Sequence, residues 1–485
     1  MLTRDVSGVT PPSTAVPAPD GSAAASTPEP IDYEIVWNRI EGRVEEGTIT
    51  VPLDYSDPGG ETIDLYLARR SADPDRSVGP LLANRGGPGA SGATLALSAS
   101  SWFEDEIIDN FDIIGWDPRG TGRSEGAIDC IDDAEYDLFY ADQDITPDDD
   151  TERQLLIDRA EEFAERCLER APGLEHVGTN NSARDMDAIR QALGVEQVSY
   201  FGFSYGSELG GVWTTLFPAT VRAAVFDGAL DPDADPVEKS RQQLAGFEAA
   251  LTTFLDACSA ESSCAFHNGG DAAGAFDSLM ASLDENPVPS STGRPDVDLG
   301  VAITAVSQAM YSDRYWPALE RALEDAAAGD GAGLLQLHDA YFRRGDDGTY
   351  SNLLEAFQVI DCADEAERRT IEQSDAAAAS VNEVAPRMFP STTGSYMCTF
   401  FPESIDPRLA ITGDGAGPIV VIGTTGDSAT PLESTRAMAD TLEDGRLVVV
   451  EANQHTGYRR NDCVGDIVHE YLIRLVAPED GTICS

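Results

Sequence analysis

The chain has 485 residues, 41% of them hydrophobic, which suffices for a large core in two domains or in one domain with an insertion. It carries 86 acidic against 32 basic residues, a net charge of -54, and Lys239 is its single lysine. A surface of that sign repels phosphates and anionic lipids, so nucleic acid is excluded as a general partner. The acidity reads first as solubility in a salty habitat and second as substrate steering. No run approaches the ~18 consecutive apolar residues of a membrane-spanning helix, so no transmembrane segment is expected.

The opening "MLTRDVSG" has no apolar segment of the signal-peptide kind, and the natural start is expected upstream. The stretch that follows, rich in Pro, Ser, Thr and Ala, buries too little to fold, so residues 1–30 read as a disordered linker. Such a tether commonly follows an export signal or a lipidated cysteine, which points to an extracellular or envelope location. The eight cysteines form no CxxC pair, which weakens zinc and redox readings. Their even number favours disulfides between sequence neighbours: Cys130–Cys167, Cys258–Cys264, Cys362–Cys398 and Cys463–Cys484. Eight reduced buried thiols are the alternative.

In chain order, short apolar runs from residue 31 to 70 alternate with turn residues and predict β-hairpins. "GPLLANRGGPGASG" is a strand entering a glycine loop, and "FDIIGWDPRGTGRS" is a strand ending at Trp116. "NNSARDMDAIRQALG" has Met186, Ile189 and Leu193 at helical spacing and stops at Gly194. The strand "VSYFGFS" precedes a helix from about Tyr205 to Phe217, and "VRAAVFDGALDP" is one more buried strand. Strands that are apolar almost throughout, alternating with helices, imply a parallel sheet covered on both faces. From residue 231 to 400 the pattern is helical, and strands return in "GPIVVIGTTGD" and "RLVVVEANQH" before a last helix. The expected organisation is a sheet domain over 31–230, a helical cap inserted over 231–400, and the rest of the sheet over 401–485.

Gly202-Phe203-Ser204-Tyr205-Gly206 fits G-x-S-x-G, a weak signal alone in a chain with 44 glycines. Between a strand and a helix it is the condition for a nucleophile elbow; an inert serine on a glycine-rich turn is the alternative. A serine hydroxyl needs a base. Of the five histidines, only His455 follows a late buried strand at the sheet edge where ligands bind. Asp427 closes the preceding strand and is suited to orient the imidazole, although Gly426 and Ser428 also suit a plain turn. The order Ser204, Asp427, His455 is that of α/β-hydrolases. A developing oxyanion needs two fixed N–H donors, assigned to Tyr205 and to Gly87 in the loop "NRGGPGASG". That loop lacks the Lys-Ser/Thr of a phosphate-binding Walker motif.

These motifs identify a family. "VPLDY", "GGPGASG", "DPRGTGRS", "ARDMDAIRQALG", "YFGFSYGSELG", "VFDGALDP", "WPALERAL", "VIDCADE", "GDSATP" and "NQHTGY" follow one another in order. The chain resembles, from about residue 33 onward, the secreted tripeptidyl aminopeptidases of actinobacteria and the related prolyl aminopeptidases. The resemblance implies an α/β-hydrolase fold: a mostly parallel sheet, helices on both faces, an inserted helical cap and a TAP-like C-terminal domain. It implies Ser204, Asp427 and His455 as the triad, secretion, and hydrolysis of peptides from a free N-terminus. Arg85 stands where the family usually has proline, which alters the entrance to the oxyanion loop. A substrate amine needs a carboxylate. Glu208, Asp361 and Asp364 are the first candidates, with Asp227 and Asp231 behind them. No metal or organic cofactor is required, and a monomer is expected. Two rival readings remain: a carboxylic-ester hydrolase on the same scaffold, and a non-catalytic peptide-binding envelope protein.

Overall fold

The structure, a computed structural model, describes residues 31–141, 143–291, 293–391 and 393–485, so the expected linker lies outside the described residues. Among the described residues ten strands form one sheet: β1 (Ile35–Glu41), β2 (Val44–Pro52), β3 (Thr62–Arg70), β4 (Gly79–Asn84), β5 (Phe111–Trp116), β6 (Val198–Phe203), β7 (Val221–Asp227), β8 (Ile419–Thr424), β9 (Gly445–Val450) and β10 (Thr482–Cys484). Their order is β1-β2-β3-β5-β4-β6-β7-β8-β9-β10. The hairpin strands β1 to β3 are antiparallel to one another and β3 is antiparallel to β5. All pairs from β5 through β4 to β10 are parallel.

The central strands are apolar almost throughout because both faces are covered. Tyr200, Phe226, Val421 and Val449 enter one buried cluster, while Phe201, Val225, Ile422 and Val450 enter the other. The first face is covered by helices Asp150–Arg170, Thr179–Ala192 and Tyr205–Leu216, and the second by Ala93–Leu97 and Asp462–Arg474. The chain leaves β4 toward β5 on one side and returns to β6 on the other. The C-terminal ends of β4 and β6 therefore flank a topological switch point, where open α/β sheets bind ligands.

Several motifs behind the resemblance act as internal struts. Arg119, buried, donates to Asp185 at 2.7 and 2.8 Å and to the carbonyls of Pro52, Leu53 and His176. Asp117 accepts from Ser91 Oγ at 2.6 Å and from the backbone N–H of Arg123 at 2.8 Å, tying the glycine loop to the end of β5.

The helical insertion differs from a single block over 231–400. Helices from Pro236–Ala260 to Ala332–Tyr341 pack around their own apolar cluster, which includes Phe247, Phe276, Val306 and Leu334. Helix Leu353–Asp364 instead buries Ala356, Val359 and Ile360 in the core on the sheet side. Its Glu355 accepts the N–H groups of Cys130 and Ile131, and Cys362 is bonded to Cys398. All four disulfides join sequence neighbours, with Cα–Cα distances of 4.6, 5.3, 5.2 and 5.6 Å in chain order. The strand β10, too short to read from periodicity, pairs with β9 and is tied to the last helix through Cys463–Cys484.

Candidate active site

The elbow after β6 has a backbone that only crowding by its neighbours sustains. Ser204 sits at φ 55°, ψ -126°, left-handed backbone that costs a non-glycine residue about 1–3 kcal/mol. Its N–H is held by the carbonyl of Asp227 at 2.8 Å. A Cβ on Gly202 would stand 2.2 Å from the Gly206 carbonyl, so the turn closes only with glycine there. A Cβ on Gly86 would lie 2.5 Å from the Phe203 carbonyl and 2.9 Å from Ser204 Cβ; the loop after β4 therefore presses directly on the elbow.

His455 lies in the loop after β9, and Asp427 in the loop after β8. The imidazole Nδ1 is 2.9 and 3.0 Å from the two Asp427 oxygens and 3.2 Å from Thr430 Oγ1. Asp427, fully buried in its side chain, also accepts from the N–H groups of Ala429, Thr430 and Thr456 at 3.0, 2.8 and 3.1 Å. Burial pulls the His455 pKa down, but the Asp427 charge and hydrogen bond, with a smaller contribution from Asp227, raise it overall. The insertion holds the same loop: His455 N–H donates to the Tyr311 carbonyl at 2.9 Å, and the rings of Tyr311 and His455 meet edge-on at 5.6 Å.

Ser204, His455 and Gly87 line one cavity of about 540 Å³ between the sheet edge and the insertion. Ser204 Oγ is not hydrogen-bonded to His455 in this arrangement; such contacts tighten in complexes with substrate. The Tyr205 hydroxyl points away to Thr179 Oγ1 at 2.5 Å, leaving its backbone N–H at the helix start. The Gly86 N–H is taken by Asn84 Oδ1 at 2.8 Å, and Gly87 is the glycine of that pair that lines the cavity. A second cavity of about 390 Å³, behind the Asp427 loop, includes neither Ser204 nor His455.

The carboxylates expected to bind a substrate amine do something else. Glu208 is buried and paired with Arg408 at 2.7 Å and Lys239 at 3.3 Å. Burial alone would raise its pKa, yet Lys239 and Arg408 hold it lowered. Asp361 shares Lys239 at 3.5 Å. Asp364 accepts from Thr179 N–H at 2.7 Å and Thr179 Oγ1 at 2.5 Å, and burial pushes it up to about 7. None of the three lines the Ser204 cavity, and their cations and donors are already supplied by the protein. Asp231 accepts from the Gln242 amide at 2.9 Å.

Asp227, expected behind the first amine candidates, is a strut between two loops. Its carbonyl holds the elbow, and its buried carboxylate accepts from Gly457 and Tyr458 N–H at 2.6 and 2.8 Å, just past His455. One residue thus couples the serine turn to the histidine loop. Thr430 has a readable signal in "GDSATP": Ala429, two residues after Asp427, closes an Asx turn on it, and Thr430 is the next residue.

The fold and the strand–serine–helix geometry define an α/β-hydrolase. Residues 79–268 match the family described as alpha/beta hydrolase fold, and residues 388–484 match the one described as TAP-like protein. The chain is 34% identical to the serine protease Hip1 of Mycobacterium tuberculosis over 470 residues, covering 92% of this chain and 88% of that protein. It is 35% identical to carboxylesterase B of the same organism over 454 residues, covering 90% and 86%. It is 29% identical to the tripeptidyl aminopeptidase of Streptomyces lividans over 476 residues, covering 93% and 86%. The chain belongs to the actinobacterial TAP family of α/β-hydrolases and is a serine hydrolase.

Proposed function

We propose that the protein is an exported serine peptidase that cleaves short peptides from their amino end through an acyl-enzyme on Ser204. One observation carries this reading: His455, fixed by both oxygens of Asp427, opens onto the cavity into which the strained turn lifts Ser204. In the forward step Ser204 Oγ attacks the scissile carbonyl while His455 Nε2 takes its proton. Asp427 holds the imidazole by Nδ1–H and stabilises the cation that forms. The N–H groups of Tyr205 and Gly87 meet the carbonyl oxygen as it becomes negative. His455 then returns the proton to the leaving amine, and a water activated by the same imidazole releases the acyl group.

Four disulfides favour an oxidising compartment outside the cytosol. Action at the amino end is the finer part of the reading, and its support is the similarity to a protein named tripeptidyl aminopeptidase. The carboxylate that meets the α-ammonium then lies beyond the lining residues of the cavity. Ester hydrolysis is the second reading, favoured by the similarity to a protein named carboxylesterase B.

Fluorophosphonate labelling, lost in Ser204→Ala together with about 10,000-fold or more of kcat, checks the nucleophile and disposes of a non-catalytic binding protein. Paired rates on a free and an N-acetylated peptide anilide, and on a simple acyl ester, check the rest. Loss of cleavage on acetylation is expected. Indifference to acetylation, or turnover of the ester alone, overturns the amino-end reading.

A further inference from the structure

The chain carries 86 acidic residues, yet among the described residues no Asp or Glu lines the Ser204 cavity, while Arg85, Arg314 and Arg343 do. None of these three arginines makes an ion pair with any described carboxylate. Elsewhere several enclosed cations have carboxylate partners: buried Arg119 with Asp185, and the half-buried Arg408 with Glu208 and Arg294 with both Asp137 and Asp339. Arg222 and Arg368, half-buried without an ion pair, donate instead to backbone carbonyls, whereas among the described residues no hydrogen bond engages the guanidinium of Arg85.

The three differ in setting. Arg85 is half-buried, immediately before Gly86 and Gly87, and its guanidinium stacks over the Trp102 ring at 4.8 Å. A cation resting on an aromatic face keeps its N–H edge free for an anion. Burial, and then the like charge of Arg343, pull the Arg85 pKa down to about 10. Arg343 leaves helix Ala332–Tyr341 in left-handed backbone, φ 56°, and Arg314 follows the segment that docks on the His455 loop. Both are exposed, so water and salt screen them more than Arg85. Like charges gathered without a counter-charge disfavour one another, and a bound anion removes that penalty.

We propose that Arg85, with Arg343 and Arg314, forms an anion subsite of the catalytic cavity, and that the preferred substrate places a carboxylate there, close to the scissile bond. This deepens the peptidase reading and rests on it for the position of the reacting carbonyl. The carboxylate comes from an Asp or Glu side chain or from the C-terminal end of a short peptide. Arg85 is a specificity-determining residue, since its charge sits beside the oxyanion loop and selects which acyl or leaving group fits.

The test uses the purified full chain and peptide pairs that differ only as Glu against Gln, or as free C-terminal acid against amide. In the wild type, kcat/KM is expected to favour the acidic member of one pair by about 10-fold or more at low salt. The pair that responds identifies the source of the carboxylate. The acid-to-neutral ratio is expected to fall toward unity in Arg85→Gln, to fall partly in Arg343→Gln, to be retained largely in Arg85→Lys, and to shrink as salt is raised. A binding arm is independent of peptide turnover: the Glu peptide should protect Ser204 from fluorophosphonate labelling more strongly than the Gln peptide. Labelling without peptide cleavage sinks the peptidase reading, and the protection arm still decides the subsite. Equal or better use and binding of the neutral members by the wild type, or a preference unaltered in both Gln variants, overturns the subsite.

Discussion

Two charged regions, a rear one around Glu208 outside the Ser204 cavity and a front one lining it, follow opposite rules. At the rear, buried Glu208 and the half-buried Lys239, Asp361 and Arg408 form a network in which each charge has an opposite partner. At the front, Arg85, Arg314 and Arg343 face the cavity with none. Charges removed from water are tolerated when paired, and their removal is felt as lost stability. Cations left without a counter-charge beside a reacting serine contribute little to stability and are available to a ligand. The comparison separates acids that resemble a substrate-amine site by position from groups that a substrate can reach.

Breaking the rear network has the largest expected effect on stability. Glu208→Gln leaves Lys239 and Arg408 short of a charge partner in a buried setting, and a loss of about 3 kcal/mol is expected in urea unfolding. Fluorophosphonate reactivity of the fraction that remains folded should persist. A neutral substitution that left the unfolding midpoint in place would erase the distinction between the two regions.

Titration sharpens the comparison with an effect of intermediate size. Burial pushes Asp227, Glu355 and Asp364 up to about 7. The unfolded chain releases those protons near pH 4 and the folded chain near 7, so between these values the folded state binds more protons and stability falls as pH rises. His455 works in the same direction: its folded pKa is raised, so its stabilisation is present below about 6.5 and lost as pH rises through the folded value. Asp339 acts oppositely. Burial would raise it, but Arg294 and His338 hold it at about 2, so its contribution is lost as pH falls from about 4 toward 2. Melting temperatures should therefore peak near about pH 4 and decline toward pH 8. The proposed mechanism needs neutral His455, so activity should rise through a limb above pH 6.5. A melting temperature that climbs steadily from pH 5 to 8 would contradict the pKa directions behind this argument.

The smallest effect is expected at the front. Arg85→Gln loses a cation–π contact worth about 0.5–1 kcal/mol but also relieves an unpaired, half-buried charge, and a net change within about 0.5 kcal/mol is expected. A drop as large as that of Glu208→Gln would make Arg85 a structural cation and remove it from the cavity's ligand chemistry.

Much of this was legible before folding, and the reasons are local. Ser204, Asp427 and His455 each close a buried apolar run, so the strand signal itself located the sheet edge that they occupy. The disulfides follow sequence order because each pair bridges neighbouring segments of the chain. The expected amine ligands were misplaced for a different reason. Among 86 acidic residues, position along the chain does not distinguish a carboxylate that meets Lys239 or Arg408 from one that meets water. Asp227 suits a ligand by position because its strand ends near the site; its backbone and side chain hold the Ser204 and His455 loops together.

The amino-acid sequence by itself determined the alternation of strands and helices, the sharp glycine-flanked turn and the chain order of the three side chains proposed to react. Those features depend on periodicity and on steric limits within a few residues. Which charges are neutralised and which remain facing a ligand was decided only by the tertiary structure. Coulombic pairing and desolvation depend on distance in space, and Arg85, Arg314 and Arg343 come together only when the insertion closes over the sheet edge.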